Sequence, residues 1–460
     1  MTTAAPTELE RRLIAAAVAG KAIDLDGQAP VRGSLVREIL TGQHGTLHWK
    51  GLRVRGLTLE GGVDLSYCEW RGRLELKRCR IAGDIDLTYA KAAGAIVLDD
   101  SRVRTIIANN LELTGSLQAR RAIITRGFRG VGMQVAGALN LTDATVCARE
   151  DTPNRMAVSL YRAKIEDLYM TRASCAGGLY ANAMSVTRNA RISGLVACTR
   201  ESLDLDVGPD TSNGAAVTLV GAEIGGALYL YSEALDTPPP RLVGTLDLGR
   251  VRCATLRVRP DDLRDLDVAM EHLAFERLHG IDALGWLDAI EQARDVGTQP
   301  YRHLAKLCEE GGHFETARTV RIALQHRIDR DHPGPRWRQV RRRLLNAAVA
   351  YGYRPGRALL WLAAVSVLAT ALLSAYNDFM VSTSAEEEAE RGFGSVAEAA
   401  TFAIDSLVPF ARLGVVSEWT AVPEGLLQHV AVAAFVVLKG LAWAFAALAL
   451  AATTGLVRRD

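Results

Sequence analysis

Apolar and polar residues alternate with a period of two through most of the first 260 residues, and the alternation is punctuated by glycine at a regular interval. Gly72-Arg-Leu74-Glu-Leu76 is followed by Gly83-Asp-Ile85-Asp-Leu87 and Gly94-Ala-Ile96-Val-Leu98. The pattern returns as Gly115-Ser-Leu117, Gly137-Ala-Leu139-Asn-Leu141, Gly177-Gly-Leu179, Gly226-Ala-Leu228-Tyr-Leu230 and Gly244-Thr-Leu246-Asp-Leu248. A small residue recurs at Cys68, Cys79, Ala90 and Ser101, eleven positions apart. Period two predicts short strands, and the glycine predicts a turn needing an unusual backbone or a close neighbour. A fixed internal period predicts a stack in which each unit buries its apolar column against the next. The expected fold class is mainly β: a right-handed parallel β-solenoid with ~11-residue units and about 22 residues per coil.

The stack needs capped ends. A helix over about 7–19, with Thr7 as N-cap, is expected at the front. The repeat weakens at 146–156 and 199–214, where Asp151-Thr-Pro153 and Gly208-Pro-Asp predict loops. Beyond 280 the pattern turns helical. A short helix follows Asp282 with Leu284, Leu287 and Ile290 on one face. A second is opened by Thr298 and Pro300 and carries Tyr301, Leu304 and Leu307. A third runs from Phe314 to about Ile328. Pro300-Tyr-x-x-Leu-Ala followed by Gly312-His-x-x-x-Ala-Arg resembles one tetratricopeptide-like hairpin. A single unit is too few for a peptide-binding array, so capping or linking is expected of it.

The last hundred residues hold two long apolar runs. Residues 358–376 carry no charge, and the second run lies at 430–457 with Lys439 as its one charge; each is long enough to cross a bilayer. Between them Ser395-Val-Ala-Glu398 matches a capping box for a helix over 396–407 that stops before Pro409. Twelve residues cannot span, so a re-entrant or interfacial helix is expected. Four regions follow: 1–45 cap and lead-in, 46–278 solenoid, 279–353 helical adaptor with a basic juxtamembrane helix, and 354–460 a two-transmembrane module.

Composition limits the function classes. The net charge of +2 implies no global polyelectrolyte partner, and residues 51–260 hold 27 Lys or Arg against 22 Asp or Glu, so the solenoid is no acidic mimic of DNA. Seven scattered cysteines without CxxC spacing suit buried free thiols, with Cys68 and Cys79 in one inward column. Before the first apolar run the arginines crowd together. Arg336, Arg338, Arg341, Arg342, Arg343, Arg354 and Arg357 are candidate anionic-lipid contacts, and by the positive-inside rule they place both termini on the cytoplasmic side. Nucleic acid is not expected as a partner, because the basic run abuts a spanning segment. Asp405, Arg412 and Lys439 are candidate intramembrane polar or pore residues. Asp405, at a helix C-terminus, calls for a compensating cation, with Lys439 or Arg412 the obvious ones. No phosphate-binding loop, HExxH, GxSxG or clustered metal ligands occur, and Gly130-Val-Gly132 lies among strands with the wrong spacing for a dinucleotide loop. No cofactor is expected.

The small-x-apolar logic resembles pentapeptide-repeat proteins. The stretch Tyr351-Gly-Tyr-Arg-Pro-Gly-Arg-Ala-Leu-Leu-Trp361, the segment Ile404-Asp-Ser-Leu-Val-Pro-Phe410 and the Thr454-Gly-Leu-Val-Arg-Arg-Asp460 ending resemble a group of actinobacterial membrane proteins of unknown activity, sometimes labelled membrane-associated oxidoreductases. The order crossing, short helix, crossing is also similar to two-transmembrane ion channels. However, Val408-Pro-Phe-Ala-Arg412-Leu-Gly414 stands where such channels carry Thr-Val-Gly-Tyr-Gly. The expectation is a non-enzymatic bacterial inner-membrane protein whose cytoplasmic solenoid is a binding or sensing scaffold, with a protein partner and anionic lipid as contacts. An oligomeric pore gated by the solenoid is the alternative. An oxidoreductase is the third reading, implied only by the resemblance.

Overall fold

A computed structural model of the chain describes residues 6–25, 30–148, 156–198, 215–231, 241–258, 263, 266–278, 283–293, 297–331, 356–376, 380–382, 392–408, 414–423 and 425–453. The chain forms two compact units, Met1–Ala317 and Arg318–Asp460.

The first unit is a solenoid-like array of parallel strands in three sheets of 15, 9 and 9 strands. Leu52 pairs with Leu74, Leu74 with Ile96, Ile96 with Leu117 and Leu117 with Leu139. A strand's partner thus lies 21 or 22 residues on, so alternate glycine units belong to different sheets. The unit at Leu74 lies in the first sheet, whereas the unit at Ile85 pairs with Ile106 in the third. The inward residues Leu59, Leu65, Leu74, Leu76, Ile85 and Leu87 are fully buried. Alternation at period two sends them into one core while their neighbours face solvent.

This arrangement corrects the placing of Cys68 and Cys79 in one column. The Cys79 N–H donates to Ser101 Oγ at 3.0 Å, and Ser101 Oγ donates to the Leu76 carbonyl at 2.7 Å. Cys68 instead receives the Lys91 N–H at its carbonyl, beside Ala90. Eleven residues is half the interval between stacked strands, so the small positions form two columns.

Two kinds of turn position hold the levels together. The residue before each small one is left-handed: Tyr67, Arg78, Tyr89 and Asp100 have φ of 56°, 51°, 54° and 59°. That conformation costs a non-glycine residue roughly 1–2 kcal/mol. It turns the chain so that the next N–H bonds back, as Cys68 does to the Leu65 carbonyl at 3.1 Å. The recurrent glycines serve another need at Gly83 and Gly115, where a Cβ would lie 2.4 Å from backbone of the level below. There glycine is required by close approach.

Partner spacing lengthens in three places: Leu139 to Leu168, Ala190 to Leu228 and Leu228 to Leu256. The anticipated loop at 199–214 and most of that at 146–156 lie outside the described residues. The third interval, around 232–240, has no anticipated counterpart. The first sheet also begins earlier than residue 46, because Ala22–Asp24 pairs with Arg53–Arg55.

Helix α1 (Glu8–Ala19) is capped as expected, Thr7 and Glu10 forming a reciprocal capping box, and it buries Leu13 and Ala17. A helix not anticipated from the sequence, α2 (Ser34–Leu40), buries Leu35, Val36, Ile39 and Leu40. Its seven residues give too short a periodic signal to read. At the other end stand α3 (Ala283–Gln292), α4 (Gln299–Glu310) and α5 (Phe314–Asp331), the last straddling the unit boundary. The buried face of α3 is Ala283, Trp286, Leu287 and Ile290; Leu284, expected on it, is exposed. Trp286, the larger side chain, takes the inward position and rotates Leu284 outward.

The second unit contains α6 (Gly356–Ala375), α7 (Val396–Leu407) and α8 (Leu426–Thr453). An antiparallel pair, Met380–Ser382 with Trp419–Ala421, accompanies them. The three helices pack on one another around Val365, Ala369, Leu373, Phe402, Ala403, Leu407 and Ala442. Ser395 caps α7 by accepting the Glu398 N–H at 3.2 Å, while Glu398 accepts from Gly394, one residue before the position a strict capping box uses.

Candidate functional site

Helices α6 and α8 are long and apolar enough to cross a membrane, over Gly356–Ala375 and Leu426–Ala451. Only 22% and 17% of their most apolar windows are buried. Leu360, Val367, Leu426, Leu427, Val436 and Val437 are all more than half exposed. Small residues make many of the helix contacts: Ala358, Ala369, Ala431 and Ala442 are buried beside Val365 and Leu373, while Leu359, Leu360, Val367 and Leu368 of α6 and Leu426, Leu427, Val436 and Val437 of α8 face outward. That distribution suits apolar surroundings, where close packing of small residues rather than burial of large ones joins helices. In water it would be a large exposed apolar patch. Trp361 and Phe445 stack at 6.1 Å between centroids.

Asp405, near the end of α7, is partly buried, and its Oδ2 accepts the Val416 N–H at 3.1 Å. Among the described residues no ion pair joins it to Lys439. The Lys439 Nζ stands 5.8 Å from the centroid of Trp443, four residues further along the same helix face. An ammonium over an indole is held electrostatically by the ring. Asp405 and Lys439 are thus not paired with each other among the described residues, and each has a contact of its own. Arg357 is exposed in the first turn of α6. Arg336, Arg338, Arg341, Arg342, Arg343, Arg354 and Arg412 lie outside the described residues.

In the first unit, charge is organised by the levels. Asp99 is buried; its Oδ1 accepts the Arg120 N–H at 2.9 Å and its Oδ2 takes the Arg120 Nε at 3.0 Å. Asp167 is buried in the same way, beneath Arg188 and the Asn189 N–H. Exposed pairs repeat the theme at Arg121 with Asp100 and Arg172 with Asp143. Burial pushes the Cys79 thiol up to about 11 and the Cys253 thiol to about 12. Thiols so raised are poor nucleophiles. Where the array meets α4, burial lowers the pKa of His303, whose Nε2 lies 2.6 Å from the Phe275 carbonyl. Among the described residues no three His, Cys, Asp or Glu side chains converge as a metal site.

Sequence reading did not anticipate the buried carboxylates. Their only signal is an aspartate at an outward-parity position followed 21 residues later by arginine, and that becomes visible once the level spacing is known. No protein-family model, curated protein or solved structure matches this chain.

Proposed function

We propose that this protein is a non-enzymatic scaffold fixed to the bacterial inner membrane by α6 and α8, with its parallel array as the surface that a protein partner or signal engages. The observation that carries this reading is the outward-facing aliphatic surface of both helices, which no aqueous environment would favour. The regular stack supports the scaffold role, since parallel levels offer a long, rigid face. In this reading the array is a right-handed solenoid built from 11-residue half-turns. Both termini are cytoplasmic, and the arginines from 336 to 357 lie on anionic headgroups.

The test is fractionation of cells producing the full chain. Alkaline carbonate should leave it in the membrane, and replacing Leu360, Val367, Val436 and Val437 by glutamate should release it. Protease added outside intact cells should spare 50–260. Recovery of the unaltered chain in the soluble fraction would overturn the reading. If the chain is a homo-oligomer in lipid and conducts ions, the alternative pore reading replaces the scaffold.

A further inference from the structure

Arginines occupy successive levels on one face of the second sheet. Arg80 and Arg102 are register partners on adjacent parallel strands. Their Cα atoms are thus about 4.8 Å apart, and like charges so opposed weaken a sheet. Arg126 lies one level further, where its N–H bonds the Arg104 carbonyl at 2.7 Å. Arg78 occupies the left-handed turn before Arg80. All five side chains are exposed. Arg104 is held by Asp84 through two bonds of 2.8 and 2.6 Å. Among the described residues Arg80, Arg102 and Arg126 have no ion-pair partner.

These arginines line a concavity of about 800 Å³ in which Asp100 is the single acidic residue among the described ones. That carboxylate is already taken by Arg121, through bonds of 2.6 and 2.8 Å. The cationic stripe is also short. Below Arg80 its partner is Thr58, and above Arg102 the partners run Ile123, Thr145 and Ser174. Three levels extend only ~10 Å. A nucleic acid, whose phosphates continue well beyond that distance, would cross Ile123, Thr145, Ser174 and Val196 before meeting the next described cation of this column, Arg241.

We propose that this face binds a compact soluble anion carrying two or more linked phosphates. Arginine forks match phosphate oxygens in pairs, and a bound polyanion neutralises the opposed charges of Arg80 and Arg102. The inference does not depend on the membrane reading.

The test uses the full chain in nanodiscs of neutral phosphatidylcholine, titrated calorimetrically with inorganic triphosphate at low salt. Saturable binding that weakens as salt rises is expected. Arg80→Gln with Arg102→Gln should weaken it about tenfold or more, from the loss of charge-assisted hydrogen bonds. Lysine at both positions keeps the charge but not the fork, and should retain part of the binding. Without ligand, Arg80→Gln alone should raise the unfolding midpoint by removing a like-charge opposition. Triphosphate should raise the midpoint of the unaltered chain and not of the double glutamine variant. Absence of binding, or binding that both substitutions leave unchanged, would overturn the proposal. So would Arg80- and Arg102-dependent binding that is found only with phosphatidylglycerol vesicles, or only with duplex DNA and growing with its length.

Discussion

The guanidinium of Arg191 lies between the rings of Tyr169 and Tyr229, at 5.4 and 4.7 Å from their centroids. The three residues are register partners on consecutive levels of the first sheet, and Arg257 continues the stack over Tyr229 at 5.2 Å. The Arg191 Nε is buried without a hydrogen-bond partner, so the ring faces are its main compensation. Cation–π contacts are worth about 0.5–1 kcal/mol when exposed and about 2 when desolvated. Arg191→Ala should therefore lower stability in chemical denaturation by about 1–2 kcal/mol. A double-mutant cycle with Tyr229→Leu should give a coupling above about 0.5 kcal/mol; strict additivity would show that the stacking carries no energy.

Asp99 is buried beneath Arg120, whose backbone and side chain both donate to it. Arg120→Ala leaves that carboxylate with the backbone donor alone. It should cost about 2 kcal/mol, as removal of one partner from a buried charged hydrogen bond does. Asp99→Asn, whose carbonyl still accepts the Arg120 N–H, should cost less than Asp99→Ala. Urea midpoints of the three variants decide this, and an equal effect of Asn and Ala would show that the backbone contact is immaterial.

The contact of His303 with Phe275 joins α4 to the last strand of the array, Ala274–Leu278. Burial sets the His303 pKa below its ordinary value, and the neighbouring Lys306 lowers it further while the Phe275 carbonyl and Glu310 oppose. A depressed pKa means that the unfolded state takes up the proton first. The stability is full above about pH 6.5 and falls as pH drops from there through the folded-state value. Protection from hydrogen exchange in residues 299–310, taken relative to the intrinsic base-catalysed rate at each pH, should fall between about pH 7 and 5.5. His303→Gln should flatten that dependence, and an unchanged profile in the variant would assign it to other groups.

Thiols in the array should be slow to react. With pKa values near 11 and 12, Cys79 and Cys253 hold at least about a hundredfold less thiolate at pH 8 than an ordinary cysteine does. Iodoacetamide followed by mass spectrometry should label Cys147, which is partly exposed, well before either. Prompt labelling of Cys79 would show that the level around Ser101 opens.

Asp405 and Lys439 each have a local contact, the Val416 N–H and the Trp443 ring. Asp405→Asn and Lys439→Met should therefore act additively on resistance to detergent unfolding, within about 0.5 kcal/mol. A double variant markedly more stable than the sum would reveal a coupling between them.

Much of the scaffold was legible from residue order, because period two and recurrent glycine are local signals repeated many times. Thr7 and Ser395 marked helix starts for the same reason: a cap is a contact between residues three apart. The assignment of Leu284 failed because a 3.6-residue pattern on a short helix fits more than one face, and the bulk of Trp286 chose among them. The candidate cations of the second unit were identifiable by type, but not their partners. Whether Lys439 meets Asp405 or Trp443 depends on how α7 and α8 are rotated, which no spacing along one helix encodes.

The sequence by itself determined that strands would be short, alternately buried and many, and that two apolar helices would follow them. Those properties reside in the period and length of local segments. A coil of about 22 residues was also expected from the repeat, but only the tertiary structure decided which residues that spacing brings together, so that Cys79 sits beside Ser101 rather than in line with Cys68, and Arg80 opposite Arg102. Register between strands is fixed by how turns and glycine contacts close each level, and that closure joins residues 22 apart whose adjacency does not show in either neighbourhood alone.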